Sequence, residues 1–284
     1  MTGRSFLFLQ GVCSPFFLRL AEQLEASGHA TFKIHFNCGD MAYWGARPAR
    51  LFRNTPDQIP DFLEEIFISR DISDIILFGD RRPVHIPAIE LALRNGIRIH
   101  VFEEGYFRPY WVTLERNGVN SHSLLPRDPD WYRSAGEGLP DYGDGDAFLS
   151  PFRLRAGHDV MYHLAGALNP LLFPDYRSHA PVSAPVEYAA YIRRFARMQQ
   201  QKQRDAAKID ALLANPLPFY LLPLQLNSDA QIRDHSPFEG MTDVMEFVMA
   251  SFANHPPSLF RTCRLNMVCA WRALLWHSCF RWGR

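Results

Sequence analysis

Short apolar runs alternate with amphipathic stretches through the first hundred residues. Ser5 to Gln10 (SFLFLQ) has the pattern of a buried strand, broken by Gly11. Phe16, Leu20 and Leu24 then recur at helical spacing behind Ser14 and Pro15. This predicts an N-cap serine, a proline at the first helical position and an amphipathic helix closed by Gly28. Ala30 to Phe36 is a second strand, ending in Asn37-Cys38-Gly39-Asp40. Ile59, Leu63, Ile66 and Phe67 predict a helix within 56–69, and Asp74 to Phe78 a third strand that ends in Gly79-Asp80-Arg81-Arg82-Pro83. Residues 84–94 read as a helix with His85 in its first turn, stopped by Asn95-Gly96, and Ile97 to Phe102 as a fourth strand. Such alternation predicts a parallel sheet with right-handed crossovers and helices on both faces.

Trp111 to Glu115, Asn117-Gly118 and Val119 to Leu125 predict a hairpin, because Asn-Gly between apolar-rich runs is a strong turn signal. Pro126 to Asp146 is rich in Pro, Gly and Asp and reads as a loop or linker. Residues 152–172 and 183–213 have helical patterns, the second with a solvated stretch from Gln199 to Arg204. Pro218 to Leu224 restarts the strand pattern, and Met241 to Asn254 is a further amphipathic helix, so a second α/β lobe opens here. The expected organisation is an N-terminal Rossmann-like lobe over 1–126, a linker and helical segment over 127–215, the start of a second lobe over 216–258, and an atypical tail over 259–284. That tail holds three of the five cysteines and three of the six tryptophans, with arginines but no Asp, Glu or Lys. Its apolar positions follow neither a helical nor a strand period, and it reads as out-of-frame sequence. The other reading is a basic, Trp-rich segment lying on an anionic membrane surface.

Composition narrows the class. Thirty basic residues balance thirty acidic ones across 284 residues, which leaves no basic footprint for nucleic acid. No run approaches the ~18 uninterrupted apolar residues of a membrane span. Met1-Thr2-Gly3-Arg4 leads directly into a strand pattern, so no signal peptide is expected. Cys13, Cys38, Cys263, Cys269 and Cys279 show no CxxC spacing, which argues against a disulfide framework and for a reducing cytoplasm.

Candidate chemistry collects at the predicted strand ends, where open α/β sheets bind ligands. Glu103-Glu104-Gly105 follows the fourth strand, with Arg108 nearby. A carboxylate there serves as nucleophile, general base or substrate anchor, and adjacent residues on an extended segment face opposite ways, so one of the pair faces the cleft. The competing reading is a pair of solvated charges beside Arg108. Asp80, Arg82 and His85 precede a helix whose N-terminus favours an anion, with an Asp cap, a surface Arg and a partly buried His as the plain alternative. Asn37 with Asp40, and Gln225 with Asp229 and Gln231, suit sugar hydroxyls or ordinary turns. GxGxxG, Walker A and GxSxG motifs are absent. No His/Cys pair has zinc-ligand spacing, and no metal is indicated, although Asp80, His85 and Glu104 together could hold one.

The segments FLQGVCSPFFLRLAEQLEASGH, IHFNCGD, FGDRRPVHIPAIELALRNGI, VFEEGYFRPYWVTLERNGVN and LLPLQLNSDAQIRDHSPF, in this order, resemble the capsule polysaccharide biosynthesis family, most closely its KpsS-type members. The resemblance runs from about Phe6 to about His255. It implies a GT-B-like α/β fold and a retaining β-Kdo transferase that takes Kdo, an acidic eight-carbon sugar, from CMP-Kdo to a lysophosphatidylglycerol lipid. It implies no cofactor, a nucleotide sugar and a phospholipid acceptor as substrates, capsule assembly and export proteins as partners, no nucleic acid, and a cytoplasmic position peripheral on the inner membrane. It points to Glu104 rather than Glu103 as catalytic, with Asp80 and His85 beside it. Ser14, Asn37, Asp40, Arg82, Arg108, Gln225, Asp229 and Gln231 are the expected substrate contacts. Two departures stand out: Val12 replaces a usual proline, and the Lys-x-His-Pro motif with the rest of the nucleotide-binding lobe is missing, so weak CMP-Kdo binding is expected. The alternatives are a non-catalytic assembly or export component that binds lipid-linked glycan and, third, a metal-dependent hydrolase.

Overall fold

The computed structural model describes residues 3–105, 111–141, 143, 152–177, 183–214, 219–227, 229–252 and 259–262. It divides into two compact units, Met1–His179 and Ala180–Arg284. In the first, the chain runs β1 (Ser5–Phe8), α1 (Phe16–Ala26), β2 (Ala30–His35), α2 (Cys38–Trp44), β3 (Arg50–Leu51), α3 (Ile59–Ser69), β4 (Asp74–Phe78), α4 (Ile86–Arg94), β5 (Arg98–Glu104), β6 (Val112–Arg116), α5 (Pro129–Glu137), α6 (Phe152–Gly166) and α7 (Asn169–Leu172). Among the described residues its strands form one six-stranded sheet in the order β3-β2-β1-β4-β5-β6. All neighbours pair parallel except β5 and β6. The fold is therefore α/β with a mixed, mostly parallel sheet. The chain leaves β1 toward β2 on one side and returns to β4 on the other, so the switch point lies between β1 and β4.

The apolar runs explain the two-faced core. Successive strand residues point to opposite faces, and a parallel sheet needs both faces covered. Leu7 and Leu9 of the β1 segment pack with Ile34, Ile75, Leu77, Ile99 and Val101 against Ile59 and Leu63 of α3 and Ala88 of α4. Phe6 and Phe8 face the other way and pack with Ile76 and Phe102 against Phe17 and Ala21 of α1 and Trp44 of α2. At the far end of the sheet Asp74, wholly buried, binds Arg4, Arg98, His100 and Ser73 and fastens three strands.

Several local expectations shift. The first helix starts at Phe16; Ser14 Oγ accepts from the Phe16 N–H at 3.3 Å from just outside the cap. Gly28 does close it, at φ 83°. The polar end of β2 is not a loop: Asn37 caps α2, its Oδ1 accepting from the Asp40 N–H. β3 pairs with β2 through only two residues, too short to leave a pattern. β6 pairs with β5, Glu104 opposite Val112, while Val119 enters a turn of 3-10 helix over Asn120–His122, so the predicted hairpin has β5 rather than 119–125 as its second strand. The expected linker contains α5, with Asp128 as cap and Pro129 in its first turn.

The second unit contains α8 (Ala184–Leu213), β7 (Phe219–Leu222), α9 (Ala230–Arg233), α10 (Met241–Phe252) and β8 (Leu259–Thr262). β7 and β8 pair parallel in the register Phe219↔Leu259 to Leu222↔Thr262. Leu259–Thr262, assigned to the tail on composition, thus has a strand partner; residues 263–284 lie outside the described residues. No described helix is long and apolar enough to cross a membrane.

Candidate strand-end site

The carboxyl ends of β1, β4 and β5 meet at the switch point. β1 runs into Gln10-Gly11 and β4 into Gly79-Asp80-Arg81-Arg82. Arg82 Nη1 donates to the Gly11 carbonyl at 2.6 Å and so ties the two loops together. Gly79 turns the chain at φ 71°, a backbone region that disfavours side chains; its N–H donates to the Phe102 carbonyl of β5 and its carbonyl accepts from His85 Nδ1 at 2.6 Å. His85 is completely buried, and burial together with the Arg82 charge pushes it down to about 3. It is therefore neutral at neutral pH and holds the β4 loop. Among the described residues its Nε2 is buried without a hydrogen-bond partner.

A buried ion pair supports the β1 loop from below. Lys33 Nζ lies 2.6 Å from Asp40 Oδ2 and donates to the Leu9 carbonyl, and Asp40 Oδ1 accepts from the Gly11 N–H at 3.1 Å. Burial pushes the Asp40 carboxyl up, but the Lys33 charge and His35 outweigh it and bring it down to about 2. Burial lowers Lys33, against the pull of Asp40. Of the candidates for sugar hydroxyls, Asp40 is thus buried and committed to this clamp, and Asn37 is buried with its Oδ1 spent on the α2 cap. Cys13, beside them, is pushed up to about 12 by burial and by Asp159, which removes it as a nucleophile at neutral pH.

The glutamates divide as alternation requires. Glu103 is half-buried, its Oε1 accepting from the Glu104 N–H at 2.9 Å. Burial pushes its carboxyl up, and the Glu104 charge adds to this. Glu104 is exposed, with Oε1 3.6 Å from Arg155 of α6. Arg108, expected beside the pair, lies outside the described residues. Asp80 is buried and accepts from the Val119 N–H at 3.2 Å and from His122 Nδ1 at 2.9 Å, which pins the segment leaving β6.

Helices α6 and α7 close over these ends. Gln10 Nε2 donates to the hydroxyls of Tyr162 and Tyr176, 3.2 Å each, and the Cys38 N–H donates to Asn169 Oδ1 at 2.8 Å. The Tyr162 ring sits where a Cβ on Gly39 would be, 2.7 Å away, so α6 rests directly on bare backbone. The structure therefore brings Ser14, Asn37, Asp40, Asp80, Arg82, His85 and Glu104 to one edge of the first unit. Gln225, Asp229 and Gln231 follow β7 in the second unit, where Asp229 caps α9 by accepting from the Gln231 N–H. Gln10, Lys33, Arg155, Tyr162 and Tyr176 are contributors that pattern reading missed. Of these, Lys33 left a signal, since a lysine inside the apolar strand ATFKIH needs a buried partner.

These features define an α/β protein with a doubly wound sheet and charged and polar side chains gathered around its switch point. The sequence profile of the family described as capsule polysaccharide biosynthesis protein matches residues 73–261, β4 through β8, and the chain belongs to that family. It is 38% identical over 261 residues to the capsule polysaccharide export protein KpsS of Escherichia coli, a match covering 90% of this chain and 66% of that protein. It is 32% identical over 267 residues to the capsule polysaccharide modification protein LipB of Neisseria meningitidis serogroup B, covering 90% of this chain and 62% of that protein. The chain thus spans about two thirds of the length of these relatives.

Proposed function

We propose that the chain carries the carboxylate-bearing lobe of a retaining Kdo transferase of GT-B type. It would take Kdo from CMP-Kdo to a lysophosphatidylglycerol acceptor for capsule assembly, at the cytoplasmic face of the inner membrane and alongside capsule export proteins. The observation that carries this reading is the position of Glu104, exposed at the carboxyl end of β5 in the family-matched region, next to a half-buried and differently poised Glu103. A carboxylate so placed can attack or stabilise the anomeric carbon as CMP leaves, and the acceptor hydroxyl then arrives on the face CMP vacated, with net retention. Arg82 and Arg155 supply positive charge for the sugar carboxylate and the departing phosphate. His85 and Asp80 act on position, through the β4 loop and the β6 exit.

The test is CMP release from CMP-Kdo in the presence of lysophosphatidylglycerol. Release that depends on the acceptor and is lost in Glu104→Gln supports the reading. Acceptor binding without turnover even at saturating CMP-Kdo, unchanged in Glu104→Gln, would replace it with a non-catalytic assembly or export component.

A further inference from the structure

A cavity of about 260 Å3 opens on the first unit beside the strand ends. Its floor is apolar: Phe36, Phe52, Ile59 and Phe173 are all buried. Half-buried Val84 and Tyr176 form its walls. Arg53 and Arg177 stand exposed on the rim, and neither has an ion-pair partner among the described residues. Asp175 adds one carboxylate there.

The two parts of this cavity ask for different chemistry. An apolar hollow of this kind gains by excluding water from hydrocarbon. Two unpaired guanidinium groups at its mouth suit a phosphate or carboxylate, which they bind through planar forks. Exposed arginines alone hold a free anion weakly, so the affinity has to come from both parts together. The cavity also adjoins the strand-end site. Val84 follows Arg82-Pro83, and the Tyr176 hydroxyl takes a hydrogen bond from Gln10 at 3.2 Å.

We propose that this cavity seats the hydrocarbon chain of an anionic amphiphile, with Arg53 and Arg177 holding its head group. The inference deepens the acceptor half of the proposed function and rests on that reading for its link to transfer. Seating of the chain is measured without turnover.

Titration calorimetry of the full chain with hexyl, octyl and decyl phosphate, each below its micelle-forming concentration, tests it. Affinity is expected to rise roughly fourfold per methylene until the cavity is full. Inorganic phosphate is expected to bind far more weakly than octyl phosphate. Octyl glucoside, with the same chain and no charge, is expected to bind more weakly as well. Arg53→Glu with Arg177→Glu changes exposed positions, which leaves the fold intact, and is expected to abolish the preference for octyl phosphate over octyl glucoside. Val84→Trp is expected to fill the cavity and flatten the chain-length series; should it fail to fold, the arginine pair and the series decide alone. Equal affinity across the series, or binding indifferent to the arginine reversal, overturns the proposal. If chain-length-dependent binding holds while CMP release never occurs, the transferase reading fails and this one stands; turnover with no alkyl phosphate binding does the reverse.

Discussion

Lys33 Nζ lies 2.6 Å from Asp40 Oδ2, with 1% and 5% of the two side chains exposed, directly beneath the loop that leaves β1. The pair does more than satisfy itself: Lys33 also donates to the Leu9 carbonyl, and Asp40 accepts from the Gly11 N–H. Removing one partner strands a charge in the core, and Lys33→Met is expected to cost ~3–5 kcal/mol. Lys33→Met combined with Asp40→Asn should cost clearly less than the sum of the two single changes. Urea unfolding followed by circular dichroism measures this. Additive single effects would mean the two side chains act independently.

The buried histidine gives the fold a pH dependence of definite sign. His85 titrates near 3 in the folded chain, against about 6.5 when unfolded. The folded state is therefore favoured in full above about pH 6.5. Below that the unfolded chain takes up a proton that the fold refuses, so stability falls by about 1.4 kcal/mol per pH unit until pH reaches about 3. His35, also lowered by burial, adds to the same trend. Asp40, held down to about 2, contributes stability that is lost between about pH 3.9 and 2, a lower window that overlaps only the acid end of the histidine one. Denaturant midpoints of the parent chain and His85→Phe from pH 7 to 4 are expected to diverge, with the flatter slope in the variant. Parallel slopes would show that His85 titrates normally.

Stability and the candidate chemistry can be separated at the other end of the sheet. Asp74 is wholly buried and binds Arg4, Arg98, His100 and Ser73, and these partners hold its carboxyl well below the usual range despite burial. Asp74→Asn keeps the shape and removes the charge, leaving two arginines with a neutral partner. Both arginines are a third or more exposed, so water takes up part of their charge, and a loss of ~1–3 kcal/mol is expected, with CMP release per folded molecule unchanged at a temperature where the variant is folded. A selective rise in KM would tie this end of the sheet to the site.

The four main strands were legible because each is a continuous apolar run covered on both faces. β3 was not, since Arg50–Leu51 carries no period at all. The hairpin differs from its pattern because Asn117-Gly118 is a strong local turn signal, whereas the strand before it finds its partner in β5. Val119 is instead buried, and its N–H goes to Asp80. α5 had its start signals in Asp128 and Pro129, and the surrounding Pro, Gly and Asp outweighed them. At the site, the strand-end carboxylates were legible one by one, but their division of labour was not. The partner of Asp40 lies one strand back, and Tyr162 meets Gln10 from 152 residues away. No local pattern encodes such contacts; they follow from how the sheet is ordered and how α6 lies over it.

The closest test of the site separates two adjacent carboxylates. Glu103 is half-buried, and burial together with the neighbouring Glu104 charge raises its pKa, although the Glu104 N–H opposes the shift. With the folded pKa above the unfolded one, ionising Glu103 weighs against the fold. That effect is absent at low pH and grows as pH rises past about 4.3. Glu103→Gln removes it and is expected to raise Tm at neutral pH, with the gain vanishing at acid pH. Glu104 is exposed and 3.6 Å from Arg155, an ion pair worth ~0–1 kcal/mol, so Glu104→Gln should barely move Tm. Activity is expected to follow the opposite order. Glu104→Gln should lower CMP release by on the order of a hundredfold or more, while Glu103→Gln keeps most of it. Loss of turnover in Glu103→Gln with Glu104→Gln active would move the catalytic role to the buried carboxyl.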